Sequence, residues 1–260
     1  MRVAVLYNRD VYALKALNRL LPALTQHTLQ LFHSSRVGRK RPSQSAELVS
    51  LAAAEQDLLS HFGARHASEQ RLGFDDLGAH FALSDAPLNN VNQPAGLEAL
   101  RRFNPDLMVS IRFGKILREP AIACAALGVI NLHSGLLPYY RGVMPTFWAM
   151  LAGETQIGMT LHWVPDATID TGAIIATTSQ PCDLQASYIS NVWHLYDAGV
   201  DLMLQAISAI ESGELKKESA PGDSGGGHYF SFPDALALAA FNGKGLELYN
   251  AADQFLANPR

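Results

Sequence analysis

Asn131 and His133 stand two residues apart, followed by Leu136-Leu137-Pro138 and Arg141-Gly142; a carboxylate, Asp170, comes later in Ile169-Asp170-Thr171-Gly172. On an extended segment residues two apart project to the same face, so the amide and the imidazole are neighbours. The apolar run 127–132 leads into them and reads as a buried strand. Leu136, Leu137 and Pro138 make a short stop that fixes the loop, and Gly142 permits a tight exit. Asp170 follows a second strand-like run over 157–164, and the Thr-Gly after it calls for a turn. A hydrogen-bonding amide, an acid–base imidazole and a carboxylate able to orient or charge that imidazole suit acyl transfer through a tetrahedral oxyanion.

Alternating strands and helices would position these groups. Residues 2–6 read as a first strand, and 11–24 carries helical spacing at Leu14, Leu17, Leu20 and Leu21. A strand is expected over 28–33 and a helix over 43–62, where Ala52, Glu55, Leu58 and Leu59 are good formers. Residues 63–92 are less regular, with a short strand expected near Gln70 to Leu72. A helix over 96–103 precedes a strand over 107–111, and Pro145 opens a helix reaching 151. A strand over 173–178 and a long helix over 187–210 complete the pattern. It predicts an α/β fold: a Rossmann-like, doubly wound, mostly parallel sheet with sites at the strand C-termini. The first strand ends without Gly-x-Gly-x-x-Gly, so a dinucleotide fingerprint is absent.

The composition agrees with a soluble enzyme. The 260 residues are 48% hydrophobic and 17% charged, enough to fill a large core. A net charge of -4 argues against a broad nucleic-acid surface. Cys124 and Cys182 lie in apolar runs and read as buried free thiols. No apolar run has membrane-spanning length and the N-terminus lacks a signal-peptide pattern, so cytoplasmic residence is the default and no membrane partner is expected. Neither His-Glu-x-x-His nor Cys-x-x-Cys occurs, so no metal is expected, and a Gly-x-Ser-x-Gly elbow is missing. His162, beside Trp163, reads as a packing residue.

The chemical residues resemble the formyltransferase family that uses 10-formyltetrahydrofolate, which includes glycinamide ribonucleotide, methionyl-tRNA and sugar N-formyltransferases. The family's Asn-x-His, Leu-Leu-Pro, Arg-Gly and distant Asp-x-Gly are matched in order by Asn131, His133, Leu136, Leu137, Pro138, Arg141, Gly142, Asp170 and Gly172. One departure is visible: where the family usually has Ser two residues after the His, this chain has Gly135. The resemblance covers roughly residues 1–215, most firmly 105–181, and implies a formyltransferase fold whose catalytic domain is 1–215. It implies catalytic roles for Asn131, His133 and Asp170, with partial burial beside the folate raising the Asp170 pKa. It further implies that 10-formyltetrahydrofolate, the co-substrate, lies between Phe113, Gly114, Lys115, Ile116 and Leu117 on one side and Asp166, Ala167, Thr168 and Ile169 on the other. Asn8, Arg9, Asp10, Arg141 and Thr146 would border the acceptor. Read without the resemblance, residues 8–10 are equally a solvated turn with Asp10 as a helix cap, and Ile116 and Leu117 are core.

The implied reaction moves a formyl group to an amine or hydroxylamine nitrogen of a small acceptor, such as an amino sugar or a siderophore precursor. The alternatives are a formyltetrahydrofolate deformylase, a methionyl-tRNA-type enzyme and a non-catalytic folate-binding protein. Arg36, Arg39, Lys40 and Arg41 fall where methionyl-tRNA formyltransferases carry a tRNA-contacting loop; a solvated loop or contact with an anionic acceptor are the other readings. Roughly forty-five residues follow Gly213, too few for the family's C-terminal tRNA module, so tRNA is disfavoured as a partner. Residues 216–260 read as a flexible linker, an extended piece over 228–233 and a short helix over 234–241. This appendage could pack on the domain, cap the acceptor pocket or join a homodimer.

Overall fold

Both faces of β1 (Arg2–Asn8) are covered: Val3, Val5 and Tyr7 on one side and Ala4 and Leu6 on the other are fully buried. A strand buried on both faces belongs at the centre of a parallel sheet. β1 pairs in parallel with β2 (Thr28–Ser34) and β4 (Leu107–Ile111), β2 with β3 (Asp85–Pro87), and β4 with β5 (Val129–His133). Two antiparallel strands, β7 (Gln156–Trp163) and β8 (Ile174–Pro181), extend the sheet beyond β5, giving the order β3-β2-β1-β4-β5-β7-β8. β6 (Tyr140–Gly142) and β9 (His228–Phe230) form a separate parallel pair. Strand order reverses between β1 and β4, which opens a crevice at their C-terminal ends. The computed structural model describes residues 1–35, 45–64, 71–217 and 227–257.

Helices α1 (Val11–Leu20), α2 (Ala46–Ala64) and α7 (Tyr188–Ser212) lie on the Val3–Val5–Tyr7 face, α1 against both others. On the opposite face α4 (Pro94–Phe103) and α5 (Glu119–Ile122) bring Leu100, Ala121 and Ile122 onto Ala4 and Leu6. α3 (Phe74–His80) and α6 (Pro145–Ala152) complete the layer that carries α1 and α7, and α8 (Ala235–Gly243) packs onto α6.

The strands and helices expected near the site form within a few residues of their expected limits. Residues 71 and 72 are not a strand: the Leu72 backbone N–H donates to Asn18 Oδ1 and its carbonyl accepts from Asn18 Nδ2, so a side chain, not a neighbouring strand, satisfies it. The irregular stretch instead holds α3 and β3. Cys124 and Cys182 are half-buried rather than buried, though burial still pushes both thiols up. The tail is no separate hydrophobic unit, since Leu238, Phe241, Leu246, Leu248 and Ala257 join the same core as α1 and α7. Arg36, Arg39, Lys40 and Arg41 lie outside the described residues.

Candidate active site

The site grows from the pairing of β5 with β7. Asn131 lies opposite His162 and His133 opposite Thr160, so the two polar residues of β5 meet polar partners across an otherwise apolar pair. His162 Nδ1 is 2.8 Å from the Trp163 carbonyl, which can only accept, so this nitrogen carries the proton. Nε2 of the neutral ring then accepts from the Asn131 amide at 3.1 Å. His162 therefore fixes the amide of Asn131, a role that reading it as packing had missed.

His133 is set the same way from the other side. Its Nε2 donates to the Tyr140 carbonyl at 2.7 Å, which leaves Nδ1 3.5 Å from Asp170 Oδ2. Gly135 makes this approach feasible: a Cβ there would stand 2.5 Å from Pro145 Cβ, 2.9 Å from His133 Nε2 and 2.9 Å from the Tyr140 carbonyl oxygen. The departure from the family's serine is thus a packing requirement of this loop.

Asp170 has a left-handed backbone, φ 54°, which a carboxylate residue adopts when local bonds hold it. Its Oδ2 accepts the Gly142 N–H at 2.9 Å and its Oδ1 is 3.5 Å from His162 Nε2. Burial on its own would raise its pKa, but the neighbouring His133 imidazole and the Gly142 N–H hold it well below the usual carboxylate range. This reverses the raised pKa expected from burial: Asp170 is a committed anion.

Two cavities meet at these groups. The larger, about 370 Å³, is lined by Asn8, Asp10, Glu55 and Arg112, by α2 side chains, and by Tyr188 and Phe232. The smaller, about 100 Å³, runs along Ile116, Leu117, Val164, Asp166 and Thr168. Asn131, Ile169 and Asp170 line both. Asp10 Oδ1 caps α1 by accepting from Ala13 N at 2.9 Å, and its Oδ2 meets Arg112 Nε at 2.7 Å on the lining of the larger cavity.

The smaller cavity's walls are stapled locally. Asn92 donates to the Ile116 carbonyl and accepts from Arg118 N, both at 2.8 Å, and Thr168 bonds to Asp166 and Thr171. Of the residues expected to touch folate, Ile116, Leu117, Asp166, Thr168 and Ile169 line this cavity, Phe113 lines the larger one, and Gly114, Lys115 and Ala167 line neither.

Three expected acceptor residues turn elsewhere. Arg9 reaches out to Asp75 at 2.6 Å, and Thr146 is buried with its hydroxyl on the Ser134 carbonyl. Arg141 is a β6 residue whose Nε is buried without a hydrogen-bond partner among the described residues. Glu55, Arg112, Tyr188 and Phe232 line the larger cavity instead. Of these, only Arg112 adjoins a segment marked for the site, that of Phe113 to Leu117.

Among solved structures the chain is similar to glycinamide ribonucleotide transformylase 1 from Symbiobacterium toebii, with a TM-score of 0.61 and 16% identity over 84% of this chain and 91% of that one. It is also similar to the N-formyltransferase from Helicobacter canadensis solved with folinic acid and dTDP-3-aminofucose, with a TM-score of 0.57 and 14% identity over 99% and 80%. The architecture is therefore the formyltransferase fold. Residues 38–207 match the Formyl transferase family model, and the chain belongs to that family. Methionyl-tRNA formyltransferase from Syntrophus aciditrophicus is 36% identical over 122 residues, 47% of this chain and 39% of that protein. The matched stretch spans about two fifths of that relative's length.

Proposed function

We propose that the chain transfers a formyl group from 10-formyltetrahydrofolate to an amine or hydroxylamine nitrogen of a small molecule. The observation that carries this reading is the meeting of two separate cavities at Asn131 and Asp170. A hydrolase needs room for one organic substrate and a water; a transferase needs two organic substrates whose reacting atoms converge on one set of groups. Asn131, His133 and Asp170 are the proposed catalytic residues. The smaller cavity, with apolar walls and backbone edges, suits the folate, and the larger suits the acceptor.

The neutral acceptor nitrogen attacks the formyl carbon and the carbonyl oxygen becomes an oxyanion. Asn131, with one N–H on His162, offers its other N–H to that oxygen. His133 Nδ1, 3.5 Å from Asp170 Oδ2, is the second donor when that nitrogen carries a proton. Donors of this kind are worth about 3 kcal/mol each. The Asp170 carboxylate, an anion throughout, helps move the proton lost by the attacking nitrogen, through water it orders, to N10 as the bond between N10 and the formyl carbon breaks. The Helicobacter canadensis neighbour, solved with a folate and an amino-sugar nucleotide, supports a two-substrate site.

The test is release of tetrahydrofolate with and without added amines. Release that depends on the amine supports transfer; release independent of it means hydrolysis. A second reading, formylation of methionyl-tRNA, is favoured by the 36% identity to enzymes of that name. Charged initiator tRNA belongs in the same assay as an acceptor.

A further inference from the structure

The acceptor cavity has an unusual charge balance. Leu48, Leu51, Ala52 and Glu55 sit at helical spacing on α2, so one helix face presents an apolar strip ending in a carboxylate. Among the described residues three carboxylates line the cavity, those of Asp10, Glu55 and Asp170, against two basic side chains, Arg112 and His133. Arg112 is committed: its Nε is 2.7 Å from Asp10 Oδ2 and its guanidinium lies 4.7 Å over the Tyr12 ring. Asp170 is committed to His133 and Gly142. Glu55 forms no salt bridge with a described residue; the Tyr12 hydroxyl acts on it, and it shares the cavity lining with Asp10 and Arg112, already a pair.

A phosphate entering this cavity would meet carboxylates and, among the described residues, only an arginine already held by Asp10. A second ammonium on the acceptor would find in Glu55 the counter-charge it needs in a partly dehydrated place. Resting on the formyl-transfer reading, we infer that the acceptor is a small molecule carrying a protonated amino group besides the nitrogen to be formylated, and no phosphate, with Glu55 as its anchor. The methylene chain between the two nitrogens runs along Leu48, Leu51 and Ala52, with Tyr188 and Phe232 also on the lining. Glu55 is a specificity residue here; it touches the acceptor away from the reacting atoms.

The experiment uses the full chain with three probes: 1,5-diaminopentane, N-hydroxy-1,5-diaminopentane and O-phosphoethanolamine. The expected result is formyl transfer to the N-hydroxydiamine with kcat/KM at least tenfold above that for the phosphorylated amine. Calorimetry should show diaminopentane binding that Glu55→Gln weakens at least tenfold, and in turnover this variant should raise KM far more than it lowers kcat. Glu55→Lys should shift preference toward the phosphorylated probe. Diamine bound equally by wild type and Glu55→Gln, or by neither, overturns the inference. So does preferred transfer to phosphoethanolamine or charged tRNA at rates Glu55→Gln leaves unchanged, an outcome in which the formyl-transfer reading survives. Glu55-dependent diamine binding without transfer to any probe sinks the formyl-transfer reading and leaves the cavity's selectivity standing.

Discussion

The side-chain amide of Asn131 stands 3.1 Å from Nε2 of His162, its direct partner across the β5–β7 pair. Because the Trp163 carbonyl fixes the His162 tautomer, a group two bonds removed from the cavity decides which way the Asn131 amide faces.

This coupling predicts non-additive losses. Asn131→Ala should lower kcat by about 100- to 1000-fold, as for the loss of one oxyanion donor. His162→Ala should cost about 10- to 100-fold by freeing the amide to rotate. The double variant should be no slower than Asn131→Ala, because the positioning residue has nothing left to position. Steady-state kinetics on the three variants tests this; multiplicative losses would give His162 a separate role.

Asp170→Asn should lower turnover by about 100- to 10,000-fold, the span of a lost acid–base group. It also changes acid stability in a defined direction. The folded pKa lies below the unfolded value of about 3.9, so the stability Asp170 contributes is present above that pH and is lost as pH falls toward the folded value. Denaturation curves should show wild type more stable than the variant at pH 7, with the gap closing below about pH 4. A gap constant across that range would mean that Asp170 is not held as an anion.

Gly135→Ser restores the residue usual in the family and should nevertheless do harm here. The new Cβ would press on Pro145 and on both partners of the His133–Tyr140 bond. Overpacking of this kind costs about 1–3 kcal/mol, and the displaced imidazole should cost tenfold or more in kcat. Thermal melting and turnover of this one variant are sufficient; a stable, active variant would show that the loop relaxes freely.

Glu55→Gln should stabilise the fold at alkaline pH. Burial pushes the Glu55 carboxyl up to about 7, with Arg112 opposing and Asp10 adding to the rise. An acid whose pKa is raised on folding binds its proton more tightly in the folded state, so stability declines as pH climbs from its ordinary value of 4.5 to about 7. The amide escapes that penalty. The variant should match wild type near pH 4 and exceed it by about 1–2 kcal/mol at pH 8, less than the full linkage because the carboxyl is partly exposed. Parallel pH profiles for the two proteins would count against a titrating Glu55.

The residues Asn131, His133 and Asp170 were legible in the sequence because each follows a strand signal and precedes a turn, so type and position point to one place. His162 was not, since a histidine beside a tryptophan on a buried strand reads as packing until the register puts Asn131 opposite it. Glu55 read as a good helix former; it faces a cavity only because α2 crosses the C-terminal ends of the parallel strands. Arg9 and Thr146 were drawn toward the acceptor by closeness in sequence, and the fold turns one to Asp75 and buries the other. The pairing of β6 with β9 joins segments far apart in the chain, which no local pattern encodes.

That distant pairing sets a birth order for the site. Gly142, at φ 94° in β6, lies where a Cβ would be 2.2 Å from the Phe230 carbonyl oxygen, and Val143 N donates to that oxygen at 2.9 Å. The sheet, the Asn131–His133–Asp170 group and the smaller cavity are all encoded before β9 leaves the ribosome; the wall formed by Phe232 is not. A nascent chain would therefore acquire the smaller cavity before the larger one, whose closing stitch is made by a segment that emerges after the whole sheet.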